Sequence, residues 1–529
     1  MTTLSYAHPI LTCEQARVFE PKVLPDEAAE WAAMKHAGVG IAQAVVRDYL
    51  ELCDLPENLR VIALIGKGNN AGDALIACGQ LLADFPRASV SLLLTADDAS
   101  LKPLAKRAFD QLEGRVQKHF IEAESDAAKI GTLLDEISDG HTIDICIDGL
   151  LGVAFSAPIR EPMRALIEAI NDYDSIRLRA AVDLPSGQGD EPDELTYRAD
   201  FTYATGIAKQ ALFKGIAECG RVRFIDLGFF DSDAASDLDA DDHILTPDVL
   251  SPMQVLRPAA VDKRKFGHLF IVGGSAYMPG ALLMAVQAAL RSGVGLVTAF
   301  APASVAASLS AQVPEAMWVP WPETANGTLN PRAMPLLLER IGKASAVLCG
   351  PGLGRDRNTE MVAQEIIKLV QLPVILDADA LRQKVLGLTP RRKRDFGPVV
   401  VTPHMGEFMR IAKLSAPDYT PDTLVDFCQN YRLMTVLKAA HTRICDGDSI
   451  LYNACGGPVL SRGGSGDLLA GLIGGMVAQD NVDTLTAVAR GVVLHGLSAQ
   501  LLAQSKGQIA VSTTQVLDYI PKVLRGELA

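Results

Sequence analysis

Cysteine is scarce and unpatterned in this chain: nine residues of 529, an odd number, with no Cys-x-x-Cys pair. A disulfide framework and a cysteine-built zinc site are excluded as organising features, and a reducing cytoplasm is the expected compartment. Positive charge is outweighed, 49 Lys and Arg against 63 Asp and Glu, for a net charge of −14. That leaves no basic footprint for nucleic acid and no attraction to an anionic membrane surface. No apolar run approaches the ~18–20 residues of a membrane span; the longest candidates, such as Pro279–Leu290 and Leu468–Ala478, are short and rich in Gly and Ala. Met1–Leu11 lacks a basic flank followed by an apolar stretch, so no secretory leader is expected. Aromatic residues make up only 5% of the chain, against 44 glycines, a balance that suits many tight turns between strands and helices. No internal sequence repeat is visible.

Apolar material is ample. Hydrophobic residues are 49% and charged residues 21%, which excludes a mostly disordered chain. The length predicts roughly two to four domains. The sharpest shift in composition is Asp231–His243, where six aspartates fall within Asp231–Asp242 with almost no bulky apolar residue. A self-repelling run of this kind reads as a solvated linker, dividing the chain into residues 1–230, a linker 231–243 and residues 244–529.

Each half alternates short apolar runs with helical stretches. In the first these are Val61–Ile65, Ser89–Leu94, Ile143–Ile147, Ala180–Val182, Phe201–Ala204 and Val222–Ile225, with helices over Ala74–Asp84 and Pro162–Asn171. In the second they are His268–Val272, Gly295–Phe300, Ala346–Cys349, Pro373–Leu376, Pro398–Val401 and Thr435–Leu437, with helices over Gly280–Ser292 and Asp467–Gln479. Strands apolar throughout, separated by helices, predict an α/β fold: two parallel sheets, each covered on both faces. Ligands of such sheets sit beyond the carboxyl ends of the strands, so the residues just after each strand are the candidates for function.

In the first half, Gly66-Lys67-Gly68-Asn69-Asn70-Ala71-Gly72-Asp73 follows one strand, Asp148-Gly149-Leu150-Leu151-Gly152 another, and Asp183-Leu184-Pro185-Ser186-Gly187 a third. The first motif is neither the dinucleotide fingerprint nor a Walker loop. Each motif alone fits a structural turn or a helix cap as well as a ligand loop. Together they offer hard oxygen ligands for a cation from Asn70, Asp148 and Ser186, and a carboxylate, Asp183, for acid–base work. These three motifs closely resemble the N-terminal domain of the bifunctional NAD(P)H-hydrate repair enzymes, and Met34-Lys35-His36-Ala37-Gly38 matches the first-helix signature of that domain. The resemblance implies a Rossmann-like three-layer α/β/α epimerase. It implies hydrate contacts from Asn69, Asn70, Ala71, Gly72 and Asp73, from Gly152, Val153, Ala154, Phe155, Ser156, Ala157 and Pro158, and from Asp183 as the proton-moving group. It also implies K+ at Asn70, Asp148 and Ser186. Ala71 stands where the family usually has Gly, and Val153-Ala154 where it has Thr-Gly; both departures put methyl groups into the cofactor-cradling loops.

In the second half the strongest local signal is Gly463-Gly464-Ser465-Gly466-Asp467 ahead of an apolar helix. Backbone N–H groups at such a turn form an anion nest for phosphate. An acid beside the nest repels phosphate but makes sense as a base for an attacking hydroxyl. Strand-end motifs accompany it: Gly273–Ala276, Gly350–Gly354, Asp377–Asp379, Thr402–Glu407 and Lys438–Thr442. The nest and Asp467 by themselves equally fit a ribokinase-like kinase of a small alcohol, whose first half would be a non-catalytic binding or dimerisation module. The whole set, with Lys265–His268 and Met278–Ala281, resembles the ADP/ATP-dependent NAD(P)H-hydrate dehydratase domain over roughly Leu245–Leu524. That implies a ribokinase-like three-layer α/β/α domain in which Ala281, Gly352, His404 and Asp467 touch the hydrate, while Lys438, Ala439, Ala440, His441, Thr442 and Gly466 hold the nucleotide. By resemblance the partners are hydrated NADH and NADPH with ADP or ATP and Mg2+, and the chain forms a homo-oligomer. The implied chemistry is phosphorylation of the C6 hydroxyl of the S hydrate and expulsion of phosphate, with the first half exchanging the R and S forms.

Overall fold

The computed structural model describes every residue except 1–4, 233, 236–237, 239, 418–419 and 528–529. The chain forms two compact units, His8–Ala240 and Met1–Ala7 with Asp241–Ala529. The first residues therefore belong with the C-terminal unit rather than with residues 1–230. Tyr6 is the reason: its carbonyl accepts from Thr246 N at 3.0 Å, and its hydroxyl bonds Thr486 Oγ1 at 2.6 Å.

In the N-terminal unit seven strands lie in the lateral order Gln117–Phe120, Ser89–Leu94, Arg60–Ile65, Ile143–Gly149, Ile176–Val182, Phe201–Thr205 and Arg221–Ile225, all neighbours parallel. The strand Arg60–Ile65 shows why its sequence is apolar throughout. Val61, Ala63 and Ile65 pack with Met34, Leu75 and Leu104 on one face, while Ile62 and Leu64 pack with Leu134 and Leu166 on the other. Side chains alternate across a strand, so two covered faces demand an unbroken apolar run. Separately, the short strand Ala7–Leu11 pairs in parallel with Ala208–Lys209, setting Leu11 opposite Lys209.

The C-terminal sheet runs Met317–Trp321, Leu296–Pro302, His268–Val272, Ala346–Cys349, Val374–Leu376, Val399–Val401, Met434–Leu437, Thr442–Cys445, Ile450–Asn453 and Asp242–Leu245. It departs from the expected all-parallel sheet: Thr442–Cys445 is antiparallel to both its neighbours. The Asp446-Gly447 turn explains this, since Asp446 Oδ1 accepts from Asp448 N and Ser449 N, both at 3.0 Å. An Asp-Gly pair between apolar runs is a hairpin signal. The run expected to be a solvated linker is also partly structural. Ala234, Ala235, Leu238 and Ala240 pack against Phe19 and Phe229, and Asp242 and His243 open a strand; Asp233, Ser236, Asp237 and Asp239 lie outside the described residues.

One helix, Thr484–Lys506, is long and apolar enough to cross a membrane, although no contiguous apolar run of that length occurs in it. Its position accounts for its composition: it lies in the C-terminal core between Ser465–Ala478 and Val516–Leu524 and against the strands Thr442–Cys445 and Ile450–Asn453. Helices Ser465–Ala478 and Pro279–Arg291 approach so closely that a Cβ on Gly471 would lie 2.2 Å from Ala285 O. Gly471→Ala must push these helices apart. It is expected to lower the stability of the C-terminal unit by ~1–3 kcal/mol, the usual cost of overpacking, as measured by guanidinium unfolding followed at Trp318 and Trp321. An unchanged midpoint would mean that the contact yields freely.

Candidate active sites

The helix after strand Arg60–Ile65 begins at Asn69, not at Ala74, with Gly68 as its N-cap. Asn69–Asp73 are therefore its first turn, where backbone N–H groups have no intrahelical acceptor. Asn70 Nδ2 donates to Leu151 O at 2.9 Å and Val182 O at 3.0 Å, tying this turn to the ends of two other strands. Gly152 is needed beside it, because a Cβ there would stand 2.5 Å from Asn70 Oδ1. Ala71 is fully buried. Neither it nor Val153-Ala154 takes a left-handed backbone, so the departures from the family pattern leave the local fold undistorted. Phe155 N bonds Gly152 O at 2.8 Å, and Ala154, Ser156, Ala157 and Pro158 form the exposed part of the loop.

Asp148 is buried under Ser186. Its carboxylate accepts from Ser186 N and Ser186 Oγ, both at 2.7 Å, and from Leu150 N at 3.2 Å. Burial pushes its pKa up to about 6 against these bonds. Asp183, at the end of strand Ile176–Val182, is buried with a left-handed backbone, φ 64°. Its partners are Lys209 Nζ, Thr205 N and Thr205 Oγ1. Asp73 faces the same cluster. Burial, then the charges of Asp183 and Glu20, hold its carboxyl well above the usual range, with Lys209 opposing. Burial likewise raises Glu20, with Lys209 opposing. Lys209 and Glu20 were not among the residues singled out by sequence. A lone Lys in a two-residue strand and a Glu inside an amphipathic helix carry no local signal.

In the C-terminal unit Asp377, Glu407, Gly466 and Asp467 meet around Lys438. Its ammonium bonds Asp377 Oδ1 at 3.1 Å and stands 4.0 Å from Glu407 Oε2 and 3.1 Å from the position of a Cβ on Gly466. Burial draws the Lys438 pKa down, but the charges of Asp377 and Glu407 outweigh it and leave it raised. Thr402 Oγ1 donates to Asp377 Oδ1 at 2.6 Å. Gly464 caps the helix Ser465–Ala478 in a left-handed conformation, so the nest opens onto the Lys438 cluster. Asp467, in the helix's first turn, has its pKa raised to about 7. Burial and then Asp377 push it up, and Lys438 opposes. Gly352 lies against Ala281, 3.1 Å from methyl to the position of a Cβ. His404 is exposed, with Nε2 3.6 Å from Glu407 Oε2, while its Nδ1 caps the helix Met405–Ala412 by accepting from Gly406 N at 3.1 Å. His441 is buried, Ala440 is exposed, and Thr442 opens the antiparallel strand rather than closing a loop. Sequence reading missed His495, which is buried near Lys438. Burial and then the Lys438 charge lower its pKa to about 4, so it is neutral.

Among the described residues no three His, Cys, Asp or Glu side chains converge to hold a metal directly. Two features nonetheless fit cations. Asp377, Glu407 and Asp467 outnumber the Lys438 ammonium that they share. Buried Asp148 has no cationic side chain among its partners in the described residues, and beside it Asn70 Oδ1 accepts no hydrogen bond.

Residues 269–522 match the family described as NAD(P)H-hydrate dehydratase, and residues 31–211 the family of YjeF-related protein N-termini. The chain is similar to the bifunctional NAD(P)H-hydrate repair enzyme of Moorella thermoacetica, 31% identical over 93% of this chain and 92% of that one. It is likewise similar to that of Thermofilum pendens, 30% identical over 96% of each. An ADP/ATP-dependent NAD(P)H-hydrate dehydratase structure from Bacillus subtilis matches 53% of this chain and 97% of its own at 26% identity and TM-score 0.45. The relatives extend over both halves, which removes the alternative of a small-alcohol kinase with an accessory module.

An essential carboxylate at Asp467 has a direct pH signature. The group is protonated below about pH 7, so kcat/KM for nucleotide-dependent turnover is expected to fall tenfold per unit below that value, as for a base needed in its ionised form. A profile flat to pH 5 would show that the reaction does not need this carboxylate ionised.

Proposed function

The chain belongs to the family of bifunctional NAD(P)H-hydrate repair enzymes, and on that premise we propose how its residues divide the repair. The substrates are NADH and NADPH that carry water across a double bond of the nicotinamide ring, with a hydroxyl on C6. We assign dehydration of the S form to the C-terminal unit and exchange of the R and S forms to the N-terminal unit.

Hydroxide is a poor leaving group and phosphate a good one. Asp467 accepts the proton of the C6 hydroxyl as that oxygen attacks the terminal phosphoryl group of ADP or ATP and breaks its anhydride bond, releasing AMP or ADP. The N–H groups of Gly463, Gly464 and Gly466 and the Lys438 ammonium take up the charge on the transferring group, as oriented donors do in a dry site, while Ser465 N donates to Arg462 O at 3.3 Å. The ring nitrogen lone pair then expels phosphate, and loss of a C5 proton restores the double bond. Ala281, Gly352 and His404 line the hydrate side, and Ala439, Ala440, His441 and Thr442 the nucleotide side. Mg2+ bound through nucleotide oxygens and water would neutralise phosphoryl charge, and the surplus of carboxylates around Lys438 supports its presence. The observation that carries this reading is Asp467 at the mouth of the nest, its carboxyl poised near neutrality.

In the N-terminal unit the first turn Asn69–Asp73 and the loop Gly152–Pro158 cradle the hydrate, and Asp183 moves the proton. Asn70, Asp148 and Ser186 would hold K+, which supplies a fixed positive charge beside the cradle; the buried, cation-free Asp148 supports this. Nine free cysteines support a reducing, cytoplasmic location, and the family resemblance a homo-oligomer.

Two variants test the assignment with mixed hydrate epimers, ADP and Mg2+, following the return of reduced-nicotinamide absorbance. Asp467→Asn is expected to keep nucleotide binding and lose at least ~100-fold in turnover, the scale of a lost general base; near-normal turnover would eliminate Asp467 as the base. Asp183→Asn is expected to convert about half the mixture at the normal rate and the rest only at the spontaneous rate, because sites with no shared partners act additively. An initial phase slowed as far as the second would break that independence.

A further inference from the structure

The hydrogen bonds to Asp183 are unevenly shared. Lys209 Nζ, Thr205 N at 3.3 Å and Thr205 Oγ1 at 3.3 Å all reach Oδ1, while Oδ2 accepts none among the described residues. Both side chains are buried, 1% exposed for Lys209 and 7% for Asp183. The Lys209 backbone is fixed in turn by pairing with Leu11. A purely structural ion pair gains most when both carboxylate oxygens are satisfied; here one oxygen is saturated and the other is left over.

We propose that Lys209 is the positioning residue of epimer exchange: its ammonium pins Asp183 through Oδ1 and leaves Oδ2 as the oxygen that takes and returns the substrate proton. The proposal rests on the epimerase reading above. The surroundings make the cation necessary. Cys13 and Glu20 come from helix Cys13–Val23, Asp73 from helix Asn69–Asp84, and Asp190 from the loop facing Cys13. Lys209 is the one cation that acts on Cys13, Glu20 and Asp73 alike, while Lys102 acts only on Glu20 among these. Without Lys209, an ionised Asp183 would sit buried among acidic neighbours, and protonation would become its cheapest relief.

The test uses the full-length protein with mixed epimers, ADP and Mg2+, reading epimer exchange in the second phase and dehydration in the first. Lys209→Met keeps the side-chain length and removes the charge. It is expected to slow the second phase ~100-fold in kcat while sparing the first. The acid limb of the exchange profile should also move up by about one pH unit or more, which loss of packing alone would not do. Asp183→Asn/Lys209→Met is expected to be no slower in exchange than Asp183→Asn alone, because Lys209 acts through Asp183. Trp31 fluorescence reports the folding of the N-terminal unit. Should Lys209→Met unfold it, Lys209→Arg decides: the retained charge keeps the acid limb in place while the altered geometry lowers kcat. Exchange within ~3-fold of wild type in Lys209→Met, an unmoved acid limb, a double variant slower than Asp183→Asn by the full single-variant factor, or a Lys209→Arg enzyme of unchanged rate each overturns the proposal. A wild-type protein that exchanges epimers no faster than water does overturns the epimerase reading beneath it.

Discussion

Each half of the molecule is built around one buried ammonium shared among more carboxyl groups than it can neutralise. Lys209 faces Asp183, Asp73 and Glu20; Lys438 faces Asp377, Glu407 and Asp467. Burying a charge is costly unless it is paired and hydrogen-bonded, so Asp73, Glu20 and Asp467, which lack a direct bond to the ammonium, are driven towards protonation. Asp73 and Asp467 are the outcome: chemically ordinary carboxyls whose pKa values are raised by burial and by an already ionised neighbour. Separating the pKa values of like groups is how a site obtains acids and bases at neutral pH.

The sheets make such clusters possible because they hold the ends of several strands in register. Asn70, Leu151 and Val182 come from three segments, yet two hydrogen bonds from one amide join them. Around Lys438 the joining is done by Asp377, Thr402 and the His404–Glu407 cap. The antiparallel hairpin from Met434 to Cys445 brings Lys438 into line with these groups, since it places the lysine just past the end of its strand and returns the chain alongside. Closely packed helices behind the sheet fix the nest, because Gly471 leaves no room for sliding against Pro279–Arg291.

The two clusters differ in one decisive respect. Asp467 stands in the first turn of a helix behind a left-handed glycine, where free N–H groups favour a phosphoryl group. Asp183 follows a strand and bonds only side-chain and backbone donors of its own unit, a setting for proton movement without phosphoryl transfer. Similar residue types thus sit in different settings, and the difference lies in which backbone groups stand beside them.

Local pattern alone determined a good deal: the α/β class, most strands of both sheets and the motifs at their ends. Unbroken apolar strands and Gly- or Asp-rich turns are local consequences of a sheet covered on both faces. The helix start at Asn69, the Asp446-Gly447 hairpin and the docking of Tyr6 on Thr246 and Thr486 were settled only by the tertiary structure. So were Lys209, Glu20 and His495, which sit in segments with no motif and gain meaning only from what faces them. The reason is physical. A motif records what the backbone must do within a few residues, whereas the charge state of a buried group depends on neighbours brought from distant segments. Lys209 and Asp183 are separated by 26 positions along the chain, and only the folded sheet makes them a pair.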